Sequence, residues 1–264
     1  MKELTKKVKE RIDHILYYNT SNVVAISYDF DGTLAPGNMQ EHSFIPEIGR
    51  EKDDFWNEVN AIAKEVNGDT ILVYMELMLK ESRKNNRTLT RDALRDYGSK
   101  IKLFDGVEEY FNEINEYAKE KEAFLYHYII SSGLRDIIEG TSIRKHFTNV
   151  FASGFKFNEE GVAEWPALAV NYTNKTQYLF RINKGIENAW DNSVINKYIP
   201  KYERPIPFRN MIYIGDGETD VPCMRLLKDA DGYSIAVYDI NKPGNKELCE
   251  TLLIQGRCNS IVNV

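Results

Sequence analysis

Cysteine is scarce in this chain of 264 residues, with only Cys223, Cys249 and Cys258, and none stands in a C-x-x-C spacing. An odd count without paired spacing argues against a disulfide framework and fits reduced thiols in a cytosol. Histidine is sparse as well, and His42, His127 and His146 are too scattered to read as a metal set. No stretch approaches the roughly 18 consecutive apolar residues of a membrane span. The opening M-K-E-L-T-K-K-V-K-E-R-I is charged throughout and lacks the apolar centre of a signal peptide, so the expected address is cytoplasmic, with no membrane partner. A positive surplus is missing too: the formal net charge is −6, which removes the electrostatic footprint of a nucleic-acid binder. Internal repeats and low-complexity tracts are absent.

What is present is the composition of an ordinary globular protein, 42% hydrophobic and 28% charged. The length suits one large domain or a domain carrying an insertion. An acidic chain acting on an anionic substrate needs a local positive site or a metal. The chain is organised around V-V-A-I-S-Y-D-F-D-G-T-L, residues 23–34. A β-branched apolar run of this kind, stopped by a turn signal, reads as a buried strand. Alternation points Asp29 and Asp31 to one side, and Gly32 lets the backbone turn behind them. Two adjacent carboxylates are costly unless a cation or a proton resolves them.

Residues 3–19 predict an amphipathic helix ahead of that strand. From Ala35 to Lys102 no strand is read. Helical spacing recurs over 53–66, over the densely apolar 69–82 and, more weakly, over 89–101, so a block of helices is spliced in. A helix over 107–120 then leads to a second strand, Ala123–Ser131. A helix over 134–141, a third strand over 148–152 and a short hairpin over 155–165 around Glu159-Glu160-Gly161 follow. Next come a helix over 176–184 behind Lys175 and a polar, proline-bearing loop over 189–209. A fourth strand, Met211–Ile214, runs into G-D-G-E-T-D. A short helix holds 224–227, a fifth strand spans Tyr233–Tyr238, and the tail I-V-N-V is a last edge strand without an obvious closing helix. Strands alternating with helices predict an α/β fold, a doubly wound (Rossmann-like) parallel sheet with an inserted helical domain. The expected division is a core of 1–34 and 103–264 with a helical insertion of 35–102.

In such a sheet ligands sit at the carboxyl ends of the strands. Asp29-Phe-Asp31-Gly, Ser131-Ser132-Gly133 and Gly215-Asp216-Gly-Glu-Thr-Asp220 close the first, second and fourth strands and would share one rim. Singly, an Asp-Gly pair reads as a turn, Ser131-Ser132-Gly133 as a helix cap and Lys175 as a solvated lysine. A calcium loop fails, because counting from Asp29 its glycine and glutamate positions hold Leu34 and Gln40. None of these readings accounts for the features occurring in this order at successive strand ends.

The D-F-D-G-T-L run resembles the first motif of haloacid dehalogenase-type phosphohydrolases. Y-I-I-S-S-G resembles their second motif, N-K-T-Q-Y-L-F-R-I-N-K their third and I-G-D-G-E-T-D their fourth. The resemblance spans the whole chain and implies the following roles. Asp29 is the nucleophile that forms an aspartyl-phosphate. Asp31 is the acid and base for the leaving group and for water. Asp29, Asp31 through its main-chain carbonyl, and Asp216 hold Mg²⁺. Ser131 and the N–H groups of Ser132 and Gly133, near a helix N-terminus, bind phosphate. Lys175 neutralises Asp29 and the phosphoryl oxygens, with Lys184 as its rival; Lys175 is favoured because it opens its helix and faces the rim. Asp220 orients Lys175 or a metal-bound water, or shares the metal. Dehalogenases of this fold lack the second aspartate and transporting ATPases carry D-K-T-G-T, so the resemblance favours a phosphoric monoester hydrolase.

The inserted helices resemble the cap of phosphoserine-phosphatase-like members, which implies a small phosphorylated metabolite as substrate. Those enzymes hold their amino acid with a glutamate after the first motif and a cap arginine. Glu41, Glu47 and Arg50 are the nearest counterparts and otherwise read as surface charges. Tyr74, Met75 and Met78 read first as helix core and second as pocket lining. The 189–209 loop exceeds the compact spacing of the family and is a candidate border of the site. A phosphotransferase or mutase on the same residues is the alternative function, and a non-catalytic scaffold a third.

Overall fold

The computed structural model describes residues 1–19 and 21–264. Helix α1 (Lys2–Tyr18) precedes β1 (Val23–Tyr28), and the segment that follows holds α2 (Phe44–Glu47), α3 (Lys52–Val66), α4 (Thr70–Lys84) and α5 (Arg91–Ser99). The chain continues with α6 (Val107–Glu120), β2 (Phe124–Leu134), α7 (Arg135–Ile138), β3 (Asn149–Phe157), β4 (Ala163–Leu168) and α8 (Lys175–Lys184). It closes with β5 (Met211–Gly215), α9 (Val221–Asp229), β6 (Tyr233–Tyr238), α10 (Asn245–Ile254) and β7 (Ser260–Asn263).

The sheet has seven strands in the order β4-β3-β2-β1-β5-β6-β7, all pairs parallel except β3–β4. The mixed α/β, doubly wound architecture read from the sequence is therefore the one observed. Strand β1 lies at the centre because its residues are buried on both faces, as a parallel sheet covered by helices demands. Val24, Ile26 and Tyr28 pack into one apolar cluster with α1 and α6, while Ala25 faces a second cluster with α8, α9 and α10. After β1 the chain builds the sheet on one side, and from β5 onward on the other. The strand order thus reverses beside β1, where the carboxyl ends of β1 and β5 leave a crevice.

Several boundaries differ from the sequence reading. The third strand and the first arm of the hairpin are one strand, β3, which turns back at Gly161 (φ +75°) into the antiparallel edge strand β4. Helix α7 is a single turn rather than the expected 134–141, because β2 runs on to Leu134 through a register shift between Ser131 and Leu134. Helix α10 had no counterpart in the sequence reading: Cys249 and Leu252 are its only buried apolar side chains, too few to make a legible stripe.

Between Ala35 and Lys102 the structure is helical, with two isolated bridges, Asp31 to Ala35 and Thr90 to Val162. Asp69 caps α4 by accepting from Ile71 N and Leu72 N, and Thr90 caps α5 by accepting from Ala93 N. Helix α5 crosses α7 at very short range. A Cβ on Gly98 would come within 1.9 Å of Ile137 O, and one on Gly140 within 1.9 Å of Arg95 O. Only glycine allows this approach.

Candidate active site

The first strand delivers Asp29 to the rim. Asp29 Oδ1 is 3.0 Å from the Nζ of Lys175, which is itself 2.8 Å from Asp220 Oδ1. Lys175 begins α8 and is buried, so its charge is spent on these two carboxylates rather than on water. Burial alone would pull its pKa down, but Asp220 and Asp29 together hold it above the usual lysine value. Asp220 is fully buried; its Oδ1 also accepts from Tyr213 Oη at 2.6 Å, and its Oδ2 has no partner. Lys184, by contrast, donates to the carbonyls of Ile195 and Lys197 and lies outside the site.

The pKa of Asp29 is raised to about 6 by burial and the Asp220 charge, against the pull of Lys175. That of Asp216, just past β5, is raised to about 7 by burial and by the charges of Asp220 and Asp29. Asp31 stands well above the carboxylate range, through burial first and the Asp29 charge second. Its Oδ1 accepts from Met39 N at 2.9 Å, so its side chain turns toward the loop after β1. Oxygens of Asp29, Asp216 and Asp220 all lie within 4.8 Å of one another. The side-chain trio thus joins Asp220 to Asp29 and Asp216, while Asp31 entered the expected set through its main-chain carbonyl.

Gly32 makes the crowding possible: at φ +76°, a Cβ there would lie 2.1 Å from Asp216 Oδ2. An all-oxygen set of this kind suits a hard divalent cation such as Mg²⁺. A cation would also relieve the repulsion that raises Asp29 and Asp216. The donor set and the room made by Gly32 fit such an ion.

Ser131 is buried on β2 with its Oγ accepting from Gly133 N at 3.0 Å, which leaves the hydroxyl proton free to donate. The expected helix N-terminus is that of the one-turn α7, which starts at Arg135 directly after the bulged end of β2. The Ser132 carbonyl accepts from Tyr74 Oη on α4 at 2.8 Å and from Ser153 Oγ on β3 at 3.1 Å. Gly133 packs against Asp31 and Met39; a Cβ there would meet Met39 Cε at 2.1 Å.

These groups open into one cavity of about 760 Å³ between the rim and α3–α4, lined by Asp29, Asp31, Ser131–Gly133 and Asp216. Its opposite wall carries Gln40, Glu41, Lys52, Trp56, Asn60 and Tyr74. The Glu41 carboxylate accepts from Trp56 Nε1 at 2.8 Å and from Asn38 Nδ2 at 2.7 Å. Glu41 is therefore a wall residue rather than a surface charge. Glu47 pairs with Arg87 and Lys100, and Arg50 with Glu58, away from the cavity. Tyr74 lines the cavity, whereas Met75 and Met78 are core. Gln40 is buried on the wall with its Oε1 unpartnered.

The 189–209 stretch contributes nothing to this cavity. Arg181, buried on α8, donates to the carbonyls of Asn188, Ala189 and Asp191 and to Asn192 Oδ1, and with Lys184 it folds the loop around two cations. Sequence reasoning also missed Asp239, Asn241 and Lys242, which line the cavity after β6. The signal was available, since the strand-end rule that selected the first, second and fourth strands applies equally to Tyr238-Asp239. Lys242 Nζ lies 3.8 Å from Asp216 Oδ2.

The family model for haloacid dehalogenase-like hydrolases matches residues 26–225. A protein of Borreliella burgdorferi described as uncharacterized is 32% identical over 254 residues, covering 86% of this chain and 87% of that one. The fold is similar to that of a HAD family hydrolase from Salmonella enterica serovar Typhi, with a TM-score of 0.56, 16% identity, and coverage of 99% of this chain and 76% of that one. It is also similar to a phosphoserine phosphatase determined as a phospho-aspartyl intermediate analogue, with a TM-score of 0.55, 15% identity, and coverage of 90% and 92%. Among the described residues, no helix is long and apolar enough to cross a membrane.

Proposed function

Because the chain belongs to the haloacid dehalogenase-like hydrolases, we propose that it is a Mg²⁺-dependent phosphatase acting on a small phosphomonoester. The observation that carries this reading is the convergence of Asp29, Asp31, Ser131, Lys175 and Asp216 on one cavity or its floor. Asp29 attacks phosphorus and forms an aspartyl-phosphate as the ester P–O bond breaks. The raised pKa of Asp31 keeps a proton on it for the departing alkoxide. Deprotonated by that transfer, Asp31 then takes a proton from the water that attacks the aspartyl-phosphate. Water adds to phosphorus, inorganic phosphate leaves, and Asp29 is returned as the free carboxylate.

Lys175 keeps Asp29 ionised and neutralises phosphoryl oxygens, while Asp220 holds the ammonium in place. Ser131 donates its hydroxyl to a phosphoryl oxygen, with its Oγ held from behind by the Gly133 N–H. Mg²⁺ would be held by Asp29, Asp216 and the Asp31 carbonyl, and supplies the charge that lets a phosphate dianion approach a carboxylate. Helices within 35–102 act as the cap, with Gln40, Glu41, Trp56 and Tyr74 facing the leaving group. The setting is cytoplasmic and the partner is a metabolite rather than a nucleic acid or a membrane.

The test is phosphate release from a broad panel of phosphomonoesters with Mg²⁺, by wild type and Asp29→Asn. Release by wild type and none by the variant is expected. Comparable release by both overturns the aspartyl-phosphate, and transfer to an added alcohol without release to water would make the enzyme a phosphotransferase.

A further inference from the structure

Tyr74 belongs to α4, far in sequence from every motif, yet its hydroxyl donates at 2.8 Å to the main-chain carbonyl of Ser132. The same carbonyl accepts from Ser153 Oγ at 3.1 Å, so both of its lone pairs are engaged. In a planar trans peptide the N–H points opposite to the C=O. Fixing the Ser132 carbonyl therefore fixes the Gly133 N–H, which points at Ser131 Oγ, 3.0 Å away. Ser131 Oγ accepts that bond, and its own proton is left to donate into the cavity.

The bonds run in one direction, from Tyr74 O–H to the Ser132 carbonyl, through the peptide to the Gly133 N–H, then to Ser131 Oγ and out through its proton. Hydrogen bonds in such a chain polarise one another, more so in a buried setting. Tyr74 and Ser131 are both buried, and burial keeps the Tyr74 phenol protonated and able to donate.

Building on the phosphatase reading, we propose that Tyr74 is a positioning residue that orients and strengthens the Ser131 hydroxyl as a phosphate donor through the Ser132–Gly133 peptide. It does not touch the phosphoryl group itself. It links a cap helix to the phosphate subsite, so that the donor is at full strength only while α4 is packed over the rim.

The experiment is a double-mutant cycle of Tyr74→Phe and Ser131→Ala. It is read on Mg²⁺-dependent hydrolysis of p-nitrophenyl phosphate and, independently of turnover, on binding of inorganic phosphate by calorimetry. Tyr74→Phe alone is expected to weaken phosphate binding and lower kcat/KM by about tenfold, the scale of one buried hydrogen bond. Ser153 still satisfies the carbonyl in that variant, so the fold should survive; urea unfolding checks this. In the Ser131→Ala background, Tyr74→Phe should cost less than about twofold. An equal tenfold loss in both backgrounds would mean that Tyr74 shapes the cavity without acting through Ser131, and would overturn the proposal. Phosphate binding without turnover of any ester would fail the phosphatase reading while still measuring the cycle. A wild-type protein that binds no phosphate overturns both.

Discussion

Asp216→Asn should make the metal-free protein more stable while removing what makes the site useful. Burial and the charges of Asp220 and Asp29 raise Asp216 from 3.8 to about 7. The folded state therefore holds this proton more tightly than the unfolded state does. The cost of ionising Asp216 is absent below pH 3.8, grows as pH rises toward 7 and is complete above it. The full interval corresponds to about 4 kcal/mol. Asparagine keeps the shape and carries no charge, so at pH 8 in EDTA the variant should gain about 2–4 kcal/mol, allowing for water reaching the partly exposed carboxylate. At pH 5 the same sum leaves about 1.5 kcal/mol. Mg²⁺ should offset most of that difference. At a hundred times its Kd, an ion stabilises the protein that binds it by about 2.7 kcal/mol, and the variant should gain far less. Urea unfolding at pH 8 and pH 5, with EDTA and with Mg²⁺, measures all four values. An asparagine variant less stable than wild type in EDTA at pH 8, or one stabilised equally by Mg²⁺, would refute the reasoning.

Three further outcomes follow from the geometry. His127 is buried against Tyr28 Oη, and burial, with His146 adding to it, lowers its pKa to about 3. The unfolded chain takes a proton that the folded one refuses, so stability is full above about pH 6.5 and falls by about 2 kcal/mol on going to pH 5. His127→Asn should flatten the difference between unfolding curves at those two pH values, and an unchanged slope would contradict it. Gly32→Ala combines a positive φ with a Cβ 2.1 Å from Asp216 Oδ2. It should cost more than about 1 kcal/mol of stability and at least tenfold in Mg²⁺ activation, both measurable on purified protein. Lys175→Met should abolish phosphate release, whereas Lys184→Met should leave it intact and expose the 186–209 stretch to limited proteolysis. The opposite pattern would restore Lys184 as the active lysine.

The sheet core was legible in the sequence because buried parallel strands announce themselves as β-branched runs that stop on polar residues. Asp29, Ser131 and Asp216 could be located for the same reason, each standing where such a run ends. Lys175 came from the resemblance of its motif, and its place at a helix start then favoured it over Lys184. The cavity wall was less visible. Trp56 and Tyr74 lie on amphipathic helices whose inward faces are apolar whether they meet the core or a substrate, and spacing alone does not separate the two. Arg181 gave no signal, because the carbonyls that surround it belong to a loop with no pattern of its own. Glu41 gave no sign of facing inward, since the groups that hold it, Trp56 and Asn38, come together only in the folded chain.

The glycine crossing of α5 and α7 carries a mechanical consequence. With Gly98 against Ile137 and Gly140 against Arg95, α5 is riveted to the segment that follows β2. The Leu89–Arg91 strip is clamped to the β3–β4 hairpin as well, through Ala163 N to Leu89 O and Arg91 N to Gly161 O. A movement of α5 away from the sheet would have to break these contacts. The few residues between Lys84 and Leu89 link α4 to this clamped strip, and Asn86 takes a left-handed turn there at φ +51°. In the 35–102 segment α5 is thus the bolted mast, and α4 beside it holds Tyr74 over the rim.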